Sequence, residues 1–189
     1  MAAQKKQLSL DANIVFDLAA DKNFAHDFRE IFQSKGYALV LPPTAVHELH
    51  LIFTDGDNKA ERELARTALT HLKQWGIRPF DLDSAAEAIC EQFVRGLLRQ
   101  RLLPEDEFND GLILAETSLA EIPLLVTSDK HLLNIDEDTL LLAFNEAIFR
   151  RCVRSTRSAC CEFRVSRPAR ILPHRFRTDF RSSTIPHKF

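Results

Sequence analysis

The sequence predicts an α/β fold with a central, mainly parallel sheet flanked by helices. Short apolar segments of strand length alternate along the chain with amphipathic segments of helical period. That alternation is typical of parallel strands joined by right-handed crossovers. Several of the apolar segments are followed directly by an acidic residue. Because ligands bind at the carboxyl ends of strands in open α/β sheets, these acids bear on the function as well as on the fold.

The first predicted elements are separated by glycine and proline. An opening strand ends at Leu10, and residues 21–36 form an amphipathic helix that Gly36 can terminate. A second strand covers residues 37–41, and Pro43 fits the first turn of the next helix.

The later elements continue the alternation. They are a helix over 59–75, a strand over 77–82, a helix from Asp83 or Ser84 to about Arg101, a helix over about 109–120 and a strand over 124–127. The pattern then weakens, and residues 140–144 are predicted as a last strand.

Composition indicates one globular domain with an appended basic segment. Hydrophobic residues make up 45% of the 189 residues, but no apolar run approaches the roughly 20 residues of a membrane span. The N-terminus lacks the apolar segment of a signal peptide, so we expect a cytoplasmic protein without membrane association. Residues 1–148 hold 14 Lys and Arg against 25 Asp and Glu, whereas residues 149–189 hold 11 against 2. We therefore predict a folded domain over 1–148 and a basic C-terminal tail over 149–189.

The basic tail has two interpretations. It could be an arm that binds nucleic acid, or a disordered or atypical terminus that does not contribute to a core. The abrupt change in composition favours the second. The adjacent Cys160 and Cys161 have no partner pair at the spacing of structural zinc sites.

Four acids are predicted to meet at one edge of the sheet: Asp11, Glu48, Asp110 and Asp129. Carboxylates gathered from distant parts of a chain repel one another unless a hard cation holds them together. Carboxylate and water oxygens are the ligands that Mg²⁺ and Mn²⁺ prefer. The four acids therefore predict a site for one or two such ions.

Each acid taken alone also has a structural explanation. Asp11 and Asp129 could cap helices, Asp110 could complement a helix dipole, and Glu48 could be a solvated helix residue. The acidic stretch Glu105–Glu107 is interpreted as a solvated loop. The joint pattern favours the metal site, because four unrelated caps need not fall at one edge of a sheet.

Several other reaction classes lack their motifs. The sequence has no P-loop, no Gly-x-Gly-x-x-Gly after a strand and no Gly-x-Ser-x-Gly elbow. His47 and His50 do not complete the His-Glu-x-x-His zinc motif, since they are one position too close. Phosphodiester hydrolysis by a metal-activated water remains the simplest interpretation.

Four segments, in order, resemble the PIN-domain family of metal-dependent ribonucleases. They are Leu10–Ile14, Pro43–Leu49, Asp110–Glu116 and Leu125–Leu133, and the resemblance covers roughly residues 7–145. It implies a PIN-like three-layer fold and an endoribonuclease, similar to the VapC-like toxins of type II toxin–antitoxin modules. Such toxins act on RNA, usually form homodimers and are silenced by an antitoxin. By resemblance, Asp11, Glu48, Asp110 and Asp129 would bind Mg²⁺ or Mn²⁺ for catalysis, Asn13 would orient the first carboxylate and Thr127 would support the last.

Two other functions remain open. A non-catalytic interaction or RNA-binding module could keep the acids as structure. A haloacid-dehalogenase-like phosphatase also places a nucleophilic Asp after its first strand, but it requires an acid where this chain has Asn13. RNA cleavage that depends on a divalent metal, without formation of a covalent phosphoenzyme, would distinguish the nuclease from these two alternatives.

Overall fold

The computed structural model describes residues 6–136 and 138–145, and the backbone of residues 170–173. A five-stranded parallel sheet runs through it in the order β3-β2-β1-β4-β5. The strands are β1 (Gln7–Leu10), β2 (Ala38–Leu41), β3 (Ile77–Pro79), β4 (Leu124–Thr127) and β5 (Arg170–Pro173). The helices are α1 (Ala12–Ala19), α2 (Asn23–Ser34), α3 (Pro43–Asp55), α4 (Lys59–His71), α5 (Ser84–Arg99), α6 (Phe108–Leu119) and α7 (Lys130–Leu133). The predicted α/β class, with helices flanking a parallel sheet, is confirmed.

The residues from which these elements were predicted have the expected burial, backbone conformation and hydrogen bonds. The last three residues of β1, β2 and β4 are buried, as expected for central parallel strands covered by helices on both faces. Gly36 follows α2 with a φ of +82°, a conformation that favours glycine. At the start of α5, the Asp83 carboxylate accepts a hydrogen bond of 2.8 Å from the Ala86 N–H.

The order of the strands creates one crevice. From β1 the chain proceeds outward through β2 to β3, and it then returns to the other side of β1 to form β4. The order in which strands are added to the sheet therefore reverses between β1 and β4. These two strands pair in parallel, with Leu10 opposite Val126. A reversal of this kind is where open α/β sheets bind ligands, outside the carboxyl ends of the strands. Asp11 directly follows β1 at that point.

The predicted strand over residues 140–144 is wrong. Residues 138–145 are helical. Leu140, Ala143 and Phe144 are buried, at the i, i+3, i+4 spacing of a helix, while Leu142 is 63% exposed. The Phe144 ring stacks on Phe93 of α5 with 4.2 Å between centroids. This segment therefore packs through a helical stripe.

The final strand lies further along the chain. Residues 170–173 pair in parallel with β4 as its outer neighbour, so the sheet extends past the predicted boundary at 148. The remaining residues of the predicted tail, 149–169 and 174–189, lie outside the described residues, and the nature of the tail stays a prediction. Within the described part of the chain, none of the helices has the length and apolar character of a membrane span.

Candidate metal centre

Asp11 is the most buried acid of the crevice, with 1% of its surface exposed. It occupies the N-cap position of α1, but its side chain makes no capping hydrogen bond to the residues of that helix. Its Oδ2 instead accepts hydrogen bonds from the Thr127 hydroxyl at 2.6 Å and from Asn13 Nδ2 at 3.3 Å. Its Oδ1 is buried and has no hydrogen-bond partner among the residues that the structure describes. An orphaned carboxylate oxygen of this kind is costly unless a ligand reaches it.

Thr127 connects Asp11 to Asp129. Its hydroxyl donates to Asp11 and accepts a hydrogen bond of 2.9 Å from the Asp129 N–H. One oxygen of Asp129 caps α7 by accepting from the Leu132 N–H at 2.8 Å. Asp129 therefore caps the helix with its Oδ1, and this cap does not use its Oδ2.

Asp110 approaches the same place from the first turn of α6. Each of Asp110 and Asp129 offers a carboxylate oxygen to a group whose ligand atoms all lie within 4.8 Å of one another. Gly111 allows the close approach of this turn to α5, because a Cβ there would lie 2.7 Å from Cγ1 of Val94. A buried hydrogen bond of 2.9 Å from Thr117 to Ser9 of β1 also holds α6 against the sheet.

Glu48 lies in α3. The charge of Asp11 acts on the Glu48 carboxyl, and Asn109 hydrogen-bonds to it. Burial raises the pKa of Glu48 to about 7, with the charge of Asp11 adding to the effect and the Asn109 hydrogen bond opposing it. Glu48 is thus close enough to Asp11 for the charges of the two carboxylates to interact.

Two further acids, Asp110 and Asp11, also have raised pKa values. Burial raises the pKa of Asp110 to about 9, reinforced by a hydrogen bond with Glu107 and by the charges of Asp11 and Asp129. Burial likewise raises the pKa of Asp11, with the charge of Asp129 adding to it and the Thr127 hydroxyl opposing it. These carboxylates repel one another and lie in a poorly solvated place. A bound cation would offset both the mutual repulsion of the carboxylates and their loss of solvation.

The sequence predicted a solvated loop at Glu107, and the structure places Glu107 at the end of that loop with its side chain half-buried. One of its carboxylate oxygens belongs to the same 4.8 Å group as those of Asp110 and Asp129. Its neighbours Glu105 and Asp106 are exposed, as expected. The sequence could not separate these three acids, because the distinction depends on which one the turn before α6 directs inward.

Glu116 is a second residue whose role the sequence did not reveal. It is 5% exposed, and its two oxygens accept hydrogen bonds from the Thr44 hydroxyl at 2.6 Å and the Thr44 N–H at 3.1 Å. These bonds fix the first turn of α3, the helix that carries Glu48. A lone acid inside the apolar run of α6 was the available signal.

The structure thus brings two of the four predicted acids into one group of close oxygens, and Asp11 and Glu48 lie outside that group. Asp110 and Asp129 share a group of close oxygens, Asp11 is joined to Asp129 through Thr127, and Glu48 lies within the field of Asp11. Asn13 and Thr127 both contact Asp11, and Thr127 contacts Asp129 as well. Their roles in binding and catalysis stay predictions.

A family model of the PIN domain matches residues 8–138, which is more than half of the chain. The chain belongs to the PIN-domain family. PIN domains are generally nucleases, and they typically use divalent metals. The residues present fit such an ion, because the donor set consists of carboxylate oxygens, one of them buried without a partner among the described residues.

Comparison with solved structures agrees with this fold. This PIN domain is similar to the crystal structure of VapBC2 from Rickettsia felis bound to a DNA fragment from its promoter, with a TM-score of 0.54 and 17% sequence identity. The likeness covers 68% of this chain and 92% of that chain. No curated protein matches the sequence significantly.

Proposed function

We propose that this PIN domain is a metal-dependent endoribonuclease that hydrolyses RNA phosphodiester bonds with a metal-activated water. The observation that carries the proposal is the buried Oδ1 of Asp11, which has no partner among the described residues. The charge of Asp11 also helps to raise the pKa values of Glu48 and Asp110. Such a group is unfavourable for the fold alone, and it is favourable once Mg²⁺ or Mn²⁺ is bound.

Asp11, Glu48, Asp110 and Asp129 would hold the ion in this proposal. When bound, the ion supplies a water of lowered pKa and stabilises the negative charge that grows on the phosphodiester. Thr127 and Asn13 keep the Asp11 carboxylate in one orientation through its Oδ2, so that Oδ1 stays directed at the ligand. Thr127 also fixes the start of the turn that carries Asp129. Support of this kind commonly changes metal affinity by about 10–100-fold.

The class of substrate and the partners follow from the resemblance to VapC-like proteins. We infer that the substrate is RNA, that the chain forms a homodimer and that an antitoxin protein regulates it. The similarity in fold to VapBC2 supports the antitoxin part of this inference. Within the described residues the crevice is rich in acids, so a basic segment of an antitoxin is the partner that its charge favours.

The proposal is tested with the purified full chain and a mixed pool of fluorophore-labelled single-stranded RNAs. We expect cleavage in Mn²⁺, no cleavage in EDTA, recovery when excess Mn²⁺ is restored, and no acid-stable phosphoenzyme. Asp11→Asn should abolish the activity and Asp106→Asn should retain it, since Asp106 is exposed in the loop before α6. Metal-independent cleavage would contradict the mechanism. A folded protein that binds Mn²⁺ and cleaves none of the pool would favour the non-catalytic module.

A further inference from the structure

Glu107 is positioned as a residue of the metal site, although it lies outside the set of four predicted acids. It occupies the N-cap position of α6, and its side chain makes no capping hydrogen bond to the residues of that helix. N-cap side chains are usually stabilised by bonding to the helix N–H groups. The Glu107 carboxylate is instead directed to Asp110 and Asp129, with oxygens of all three within 4.8 Å of one another.

Glu107 lies between an acidic neighbour and an imidazole neighbour. Its carboxyl group is close enough to that of Asp110 to hydrogen-bond with it. Its Oε1 also lies 3.5 Å from Nε2 of His131. The Glu107 side chain is 23% exposed, whereas that of His131 is 50% exposed.

The spacing of the oxygens suits a hard cation. Ligands on opposite sides of an octahedral Mg²⁺ are about 4.2 Å apart, because each bond measures about 2.0–2.1 Å. Adjacent ligands are closer, at about 2.9 Å. The three oxygens lie within 4.8 Å of one another, so side-chain rotations are enough to bring them to one ion. A second observation points to a ligand near this group, of which Asp11 itself is not a member. The buried Oδ1 of Asp11 has no partner among the described residues, and the charge of Asp11 acts on Asp110.

We propose that Glu107 is a further ligand of the divalent cation bound by Asp110 and Asp129, and that His131 positions Glu107 while the metal is absent. This inference rests on the proposed function and adds a residue to its site. A bound cation would offset the repulsion among the carboxylates of Glu107, Asp110 and Asp129, which lie close together.

The test measures binding of Mn²⁺ alone to the full chain by isothermal titration calorimetry. Glu107→Gln should weaken binding by about tenfold or more, since it removes one ligand and one charge. The matched control is Glu105→Gln, which makes the same change on an exposed side chain of the same loop and should alter affinity less than twofold. His131→Ala should stay within about threefold of wild type, because the imidazole does not bind the ion.

The outcomes separate this inference from the proposed function. Unchanged affinity in Glu107→Gln, while the wild-type protein binds Mn²⁺, overturns the inference and leaves the proposed function standing. A wild-type protein that does not bind Mn²⁺ overturns both. Thermal unfolding in EDTA is the second readout. A melting temperature of Glu107→Gln well below that of Glu105→Gln would assign Glu107 a structural role and overturn the inference, as would a tenfold loss of affinity in His131→Ala.

Discussion

The two ends of helix α6 place acids in opposite situations. Near its C-terminal end, Glu116 accepts two hydrogen bonds from Thr44, one from the hydroxyl and one from the backbone N–H. In its first turn, Asp110 faces Glu107, Asp11 and Asp129, which are all acids. Burial raises the pKa of both carboxyl groups. For Glu116 the hydrogen bonds oppose that rise, whereas for Asp110 the neighbouring charges add to it.

We expect this difference to separate a structural acid, Glu116, from an acid of the proposed metal site, Asp110. A buried carboxylate with donors around it stabilises the segment that supplies them. A buried carboxylate among other carboxylates contributes nothing to the fold and is instead prepared for a cation. Burial alone does not distinguish the two cases, but the identity of the neighbours does.

Asp110→Asn should give the largest effect. We expect Mn²⁺-dependent RNA cleavage to fall by at least about 100-fold, because the change removes a charged ligand. In EDTA the variant should be at least as stable as wild type, since it removes repulsion among acids. Cleavage rates and thermal unfolding, with Asp106→Asn as the control, test both parts. A marked loss of stability in EDTA would place Asp110 in the same class as Glu116.

Glu116→Ala should instead reduce stability. It leaves the Thr44 N–H and hydroxyl buried without their acceptor and opens a cavity, so the free energy of unfolding should fall by about 2–4 kcal/mol. Glu116→Gln keeps an acceptor oxygen and should cost less than about 1 kcal/mol. Urea unfolding measures both. Equal losses in the two variants would mean that the charge of Glu116, and not its acceptor oxygens, stabilises α3.

The metal-free protein should lose stability as the pH rises. The pKa of Asp110 is raised from 3.8 to about 9 and that of Glu48 from 4.5 to about 7, so the folded state binds more protons than the unfolded state between those values. The free energy of unfolding then declines with pH across this window. Melting temperatures in EDTA from pH 4 to 9 test this, and Asp110→Asn should flatten the decline above pH 7. Saturating Mn²⁺ should also reduce it, because the ion binds the ionised carboxylates.

Gly111→Ala should give the smallest effect. Its Cβ would lie 2.7 Å from the stiff Val94 side chain, which costs about 1–3 kcal/mol, while the gain in helix propensity is at most about 1 kcal/mol. We expect a net loss of about 1–2 kcal/mol in urea unfolding and weaker Mn²⁺ binding, as the first turn of α6 is displaced. Gly96→Ala is the control, because a Cβ there meets nothing within 4 Å. It should stabilise the protein by up to about 1 kcal/mol.

Most of the fold could be predicted from local patterns. β4 has the predicted bounds, and the helices α2 to α6 agree within a few residues, because apolar period and capping residues are read directly along the chain. The strand predicted over residues 140–144 was wrong, since a run of apolar residues this short is compatible with either a strand or a helix. Its packing against Phe93 decides for the helix.

The sequence by itself predicted the kind of chemistry, because carboxylates at strand ends and helix starts are visible as residue types in order. The strand alternation, together with the resemblance to the PIN-domain family, predicted one site for Asp11, Glu48, Asp110 and Asp129. Only the tertiary structure decided which further acids matter. Glu107 and Glu116 are ordinary glutamates in the sequence, and their difference arises from neighbours that are distant along the chain: Asp129 for the first and Thr44 for the second. Burial and hydrogen-bond partners are properties of the folded chain. They decide whether an acid stabilises a helix or is suited to bind a cation.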